Sequence, residues 1–135
     1  MIAGVLKRQV GEAPSIGADQ VVATDDESAM DILPLLDAVA DTVGGRTAEK
    51  LISKVKPGGV FASVLGAPQN GEKYPSVKVV PFYSTSNAKA LQFMAEAVRD
   101  GKLRVPISRR FPLSDAAEAQ AVAEKGASGK ILLVV

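Results

Sequence analysis

The 135-residue sequence contains neither cysteine nor histidine. Without cysteine there is no disulfide and no redox chemistry on sulfur. The two absences together remove the soft ligands that zinc prefers and the side chain that most often moves protons near neutrality. A catalytic zinc of the usual kind is therefore excluded from this segment, and the residues themselves point to no metal ligand and no catalytic group. Aromatic side chains are scarce, with four Phe, two Tyr and no Trp, and the formal net charge is only +1 with both signs interspersed. That leaves neither a stacking surface nor a field for nucleic acid, which is excluded as a partner. No apolar run approaches the ~20 residues needed to cross a bilayer. Lys7-Arg8 follow the first apolar run, whereas a signal peptide has its charges before it. A cytoplasmic protein with no membrane partner is the expectation.

What is present centres on Gly44 to Pro68. Ala48, Leu51, Ile52 and Val55 recur at i, i+3, i+4 and i+7, one apolar stripe of a helix, with Glu49, Lys50, Ser53 and Lys54 on its remaining surface. Pro57-Gly58-Gly59 predicts the stop, because proline breaks the hydrogen-bond ladder and glycine accepts the positive φ of a reversal. Val60 to Leu65 shows almost no alternation, the pattern of a parallel strand buried on both faces. Its exit is Gly66-Ala67-Pro68. Ligands of open α/β sheets bind outside the carboxyl ends of the strands, so this exit is a candidate binding position; a plain turn is the alternative.

The first segment, Met1 to Leu6, reads as a strand with Lys7 and Arg8 at its carboxyl end. In dinucleotide folds the second strand meets the adenosine ribose there, and basic side chains can clamp a 2′-phosphate. A solvated pair ending a strand is the other reading. Gly11 and Pro14 reduce Val10 to Ser15 to a short or irregular helix. Gln20 to Ala23 is a short strand, and Thr24-Asp25-Asp26-Glu27 caps a helical turn through Ser28 to Leu33. Leu35 to Ala40 is a strand that leads into the central helix, giving parallel strands joined by a right-handed crossover. Asp41 at its end reads as the cap of a backbone turn, since no acid or histidine stands with it as a catalytic partner.

Pro75 and Pro81 confine the strand Val77 to Tyr83 to a sheet edge. Leu91, Met94, Ala95 and Val98 form the stripe of a helix ended by Asp100-Gly101, with Met94 in the core. Leu103 to Ile107 is extended, Arg109-Arg110 a solvated pair, and Pro112-Leu113-Ser114-Asp115 opens an alanine-rich helix to about Lys125. Ser128-Gly129-Lys130 leads into a final strand, Ile131 to Val135.

In this order, Ile16-Gly17-Ala18-Asp19-Gln20-Val21-Val22, the run Asp37 to Gly45, Lys56-Pro57-Gly58-Gly59, Gly101-Lys102-Leu103, Phe111-Pro112-Leu113 with Ala116-Ala117-Glu118-Ala119, and Gly129-Lys130-Ile131-Leu132 resemble one known series of motifs. The chain resembles the carboxyl-terminal half of a zinc-independent medium-chain dehydrogenase/reductase of the NADPH:quinone oxidoreductase-like group. The resemblance implies an α/β fold, a partial Rossmann-type doubly wound parallel sheet lacking its first strand and glycine-rich turn, in a single domain of residues 1–135. It implies a hydride transfer from NADPH to a small quinone or conjugated enone, the chain supplying the cofactor-binding half of the oxidoreductase. Lys7 and Arg8 then match the basic residues that favour NADP, and Val43-Gly44 and Leu65-Gly66-Ala67 match the loops beside the nicotinamide ribose and ring. It also implies a homodimer through Val77 to Tyr83.

Two other functions compete: a non-catalytic split half that folds and self-associates, and an S-adenosylmethionine-dependent methyltransferase, which shares the Lys56-Pro57-Gly58-Gly59 turn. In the strand order 3-2-1-4-5-6, Met1 to Leu6 matches the second strand and Leu35 to Ala40 the fourth. Direct pairing of these two segments is the expected closure; a strand borrowed from a second copy, or a poorly ordered first segment, are the alternatives.

Overall fold

The computed structural model describes residues 1–127 and 129–135; Ser128, which the sequence places in the turn into the last strand, lies outside the described residues. Contacts divide the chain into two compact units, Met1–Ser86 and Asn87–Val135.

The first unit opens with β1 (Ile2–Val5), two 3-10 turns (Lys7–Gln9 and Ala13–Ile16), β2 (Gln20–Ala23) and α1 (Glu27–Asp31). The turns are the irregular segment that Gly11 and Pro14 predict. Asp26 caps α1, its carboxylate accepting the Ala29 N–H at 3.3 Å. There follow β3 (Leu36–Asp41), α2 (Gly45–Ile52), β4 (Val55–Ser63) and β5 (Lys78–Pro81). β1 pairs with β2, and β3, β4 and β5 form a second ladder in that order, every pairing parallel. The expected direct pairing of the first segment with 35–40 is not formed. Lys50 Nζ donates to Glu27 Oε1 at 2.7 Å and Lys54 Nζ to the Asp31 carbonyl at 2.7 Å, tying α2 to α1. These exposed bonds link the two crossovers, while no ladder forms between β1 and β3.

The core of this unit joins Val39, Ala48, Ile52, Val55, Phe61 and Val77, with Leu36, Leu51, Tyr74 and Val79 packed around it. Ala48, Leu51 and Ile52 are the stripe of α2. Val55 is not: the helix ends at Ile52, and Val55 is the first residue of β4. Pro57-Gly58-Gly59 thus interrupts a strand and does not stop a helix. Leu36 pairs with Val55 and Ala38 with Val60, so Lys56, Pro57, Gly58 and Gly59 all stand opposite the single Asp37. Proline has no N–H for the ladder, and Gly58, at φ 80°, turns its N–H to the Ser76 carbonyl at 2.8 Å. Lys56 Nζ closes the excursion onto Asp37 Oδ1 at 2.6 Å.

Burial also departs from the two-sided expectation. Val39 and Asp41 of β3 are buried while Ala38 and Ala40 are exposed. β4 ends at Ser63, leaving Val64 and Leu65 exposed in the following turn. The core gathers on the face that α2 covers, and apolar residues on the other face remain open. β5 takes the edge position that its prolines require, hydrogen-bonded to β4 alone among the described residues.

In the second unit, α3 (Ala88–Arg99) is capped by Asn87, whose side chain accepts the Ala90 N–H at 3.0 Å. It buries none of its residues, and Met94, expected in a core, is 52% exposed. The stripe specifies a helix face but not its cover, and in this unit α4 (Ala116–Glu124) packs on the sheet. That sheet is β6 (Ile107–Pro112) in parallel with β7 (Lys130–Val134). Arg109 and Arg110 therefore lie inside a strand and do not form a free pair. The Arg109 guanidinium stacks 4.8 Å from the centre of the buried Phe111 ring.

Candidate functional site

β3 and β4 end side by side, and their last residues are the two buried polar side chains among the described residues, Asp41 at 4% and Ser63 at 2% exposure. A carboxylate at the end of β3 accepts the backbone donors of the turn that follows, since those N–H groups precede α2 and have no helical partner. Asp41 Oδ1 accepts the Val43 N–H at 3.1 Å and the Gly44 N–H at 3.0 Å. This is the turn-capping role read from the sequence. Its other oxygen, Oδ2, accepts the Ser63 hydroxyl at 2.6 Å. Ser63 Oγ in turn accepts the Leu65 N–H at 3.1 Å, and the Asp41 carbonyl accepts the Val64 N–H at 3.2 Å.

Burial raises the pKa of Asp41, but the bonds from Ser63, Gly44 and Val43 outweigh it and hold the carboxyl below its ordinary value. No cation pairs with it among the described residues. Neutral donors alone carry the charge.

The loops so laced present the predicted residues together. Gly44 has φ 71° and ψ −162°, a region that is essentially glycine-only. A Cβ there would lie 2.9 Å from Leu65 Cδ1, so the two loops touch. Gly66, at φ 93°, has nothing within 4 Å of its Cβ position. Val43, Leu65 and Ala67 are exposed. The result is an open lip of small or apolar residues at the carboxyl ends of adjacent parallel strands.

Lys7 and Arg8 stand elsewhere, in the turn after β1. The Lys7 N–H donates to Asp25 Oδ1 at 2.7 Å, and Lys7 Nζ to Asp26 Oδ2 at 3.4 Å. Bonds from Ser28, Ala29 and Lys7 hold Asp26 at a pKa of about 2. Arg8 is exposed and makes no ion pair among the described residues. The two basic residues are therefore not equivalent, and no described hydrogen bond or ion pair joins them to residues 41–67. Sequence reasoning missed Ser63. Its signal was present, as the one hydroxyl in the apolar run Val60 to Leu65.

Residues 16–133 match a family described as zinc-binding dehydrogenase. Among solved structures, the chain is similar to a quinone oxidoreductase from Coxiella burnetii, with 26% identity over 99% of this chain and 44% of that one and a TM-score of 0.83. It is similar in fold to an NAD-dependent alcohol dehydrogenase, at 24% identity over 99% and 43% of the two chains and a TM-score of 0.80. A cobalt- and zinc-bound thermostable alcohol dehydrogenase from Pyrobaculum aerophilum shares the fold at 17% identity over 99% and 42%, TM-score 0.76. The chain thus spans less than half the length of the structures it matches. No curated protein matches the sequence significantly. Zinc does not fit these residues: the sequence has no His or Cys, and the described residues hold no cluster of three or more acids that could bind a metal ion.

Proposed function

The chain belongs to the zinc-binding dehydrogenase family, and from that premise we propose that it is the cofactor-binding half of an NADPH-dependent, zinc-independent oxidoreductase whose hydride acceptor is a quinone or conjugated enone. The observation that carries this reading is the lacing of Asp41 and Ser63, which presents Val43-Gly44 and Leu65-Gly66-Ala67 at the ends of neighbouring parallel strands. Backbone can approach a ring and its ribose closely at Gly66, which carries no side chain and has open space at its Cβ position, while Leu65 fills that space at Gly44. The 26% identity with a quinone oxidoreductase supports the choice of acceptor. The bound cofactor supplies the hydride. This chain's part is to hold the nicotinamide end against the glycine lip and to shield it with Val43 and Leu65. Lys7 and Arg8 meet the 2′-phosphate that distinguishes NADP from NAD. The setting in this reading is the cytoplasm, and the working unit is a dimer through the edge strand, residues 77–83.

Calorimetric titration of the purified chain with NADPH and NADH, followed by a quinone-reduction assay, tests the proposal. Replacing Lys7 and Arg8 by Ala is expected to raise the NADPH dissociation constant about tenfold or more, one lost charged contact being roughly 1.5–3 kcal/mol, with NADH little changed. Because Asp26 already engages Lys7, Arg8→Ala alone should cost more than Lys7→Ala alone. Equal loss for both cofactors refutes the phosphate assignment. Binding without turnover favours the non-catalytic half, a reading that the two unjoined ladders of the first unit support.

A further inference from the structure

Each half of the candidate lip follows a different strand. Residues 42–44 leave β3 and residues 64–67 leave β4, and the chain between them runs through all of α2 and the excursion at 56–59. Their relative position is set locally by three contacts: Asp41 Oδ2 with the Ser63 hydroxyl, the Val64 N–H on the Asp41 carbonyl, and Leu65 against Gly44. The Ser63 hydroxyl occupies a distinctive place among them. It donates to Asp41 and accepts from the Leu65 N–H, so it transmits the carboxylate's hold on one loop to the other. Both Asp41 oxygens act as acceptors, the arrangement that suits the ionised carboxylate.

We propose that Asp41 and Ser63 are positioning residues for the dinucleotide, a carboxylate and hydroxyl latch that joins the two loops into one preformed lip. The proposal rests on the dinucleotide reading above. Neither side chain touches the cofactor; both are buried beneath the lip. Their contribution is to the fraction of molecules with both loops in place, and apparent affinity falls in proportion to that fraction. Cutting the latch at Ser63 should release Leu65 while Asp41 still holds Val43 and Gly44. Cutting it at Asp41 should release all three.

The experiment compares the parent with Ser63→Ala, Ser63→Thr and Asp41→Asn by amide exchange in nitrogen-15 spectra, and by NADPH and NADH titration of each folded variant. Ser63→Ala should speed exchange of the Leu65 amide about tenfold, leave Val43 and Gly44 unchanged and weaken NADPH about tenfold. Ser63→Thr, which keeps the hydroxyl, should restore both. Asp41→Asn should speed exchange at all three amides and weaken NADPH further. An unchanged Leu65 amide in Ser63→Ala overturns the latch. Faster exchange with undiminished NADPH affinity overturns its positioning role and leaves a purely structural pair. A parent chain that binds neither dinucleotide defeats the dinucleotide reading and the latch's role in binding, while the exchange data still decide whether the loops are joined.

Discussion

Replacing Gly59 by Ala should damage this protein more than its small size suggests, and at a distance from the place where it is made. A Cβ at position 59 would lie 2.7 Å from the Asp37 carbonyl oxygen, 2.7 Å from Val55 Cγ1 and 2.9 Å from the Lys56 carbonyl oxygen. Unstrained contacts of this kind begin near ~3.5 Å, so three overlaps of roughly half an ångström or more must be relieved. Two of them are with backbone, which cannot rotate aside. Overpacking of this kind costs about 1–3 kcal/mol, against a gain of ~0.4–1 kcal/mol from the stiffer unfolded chain. The expected net loss is about 1–2 kcal/mol, or roughly 4–8 °C in Tm.

Two controls separate the clash from other glycine effects. Gly58 has φ 80° and open space around its Cβ position, so Gly58→Ala should cost only the left-handed strain of about 1–2 kcal/mol. Gly71, with nothing nearer than 3.8 Å and no positive φ, should be neutral or slightly stabilised by Ala. The excursion also sets the register that delivers Ser63 opposite Asp41. Gly59→Ala should therefore weaken NADPH binding as well, whereas Gly58→Ala should spare it. Thermal and urea unfolding followed by circular dichroism give the stabilities. A Gly59→Ala chain as stable as the parent, with unchanged affinity, would refute the reasoning.

Phe61→Ala removes a fully buried ring from the centre of the core and should cost about 3–5 kcal/mol in urea unfolding. Asp41 has its folded pKa lowered, so its contribution to stability is present above the unfolded Asp value of ~3.9 and is lost as pH falls through the lower folded value. The urea midpoint should decline over that acid range more steeply for the parent than for Asp41→Asn. The Phe82 N–H bonds back to β4, so alternation turns the Val79 N–H to the open side of β5. Val79→Pro should then convert the proposed dimer to a monomer in light scattering and leave the β4–β5 ladder intact; a monomeric parent would end that proposal.

Most of the architecture was legible where a residue's chemistry acts locally. Gly11 and Pro14 prescribed the broken crossover, Asp26 a helix start, and Pro81 the edge strand. The errors came where an identical signal serves two masters. Pro57-Gly58-Gly59 marks a chain that cannot continue its hydrogen bonds, and a sequence does not say whether helix or strand is interrupted. The stripe of α3 and the runs Leu35 to Ala40 and Val60 to Leu65 announce apolar faces, but whether each face is covered depends on neighbours that periodicity does not name. At the site, the glycines and Asp41 were visible as turn chemistry. Ser63 was not, because its role arises only when β3 and β4 end at the same level and bring residues 22 positions apart to 2.6 Å.

The unjoined edges of β1 and β3 make the chain's colloidal behaviour a question of guarding. Met1 and Val5 carbonyls face β2, and that of Asp41 faces β4, so Ile2 and Gly4 on one edge, and Ala38 and Ala40 on the other, direct their N–H and C=O groups outward. β5 guards its own rim with Lys78 and a proline at position 81. β1 has neither device, and the one charge in the middle of β3's rim, Asp37, is neutralised by Lys56. As concentration or temperature rises, strand pairing beyond the proposed dimer at residues 77–83 should begin at these two rims. Additives that solvate main-chain amides should keep the chain dispersed better than added salt, since no repulsion between charges protects the places where association starts.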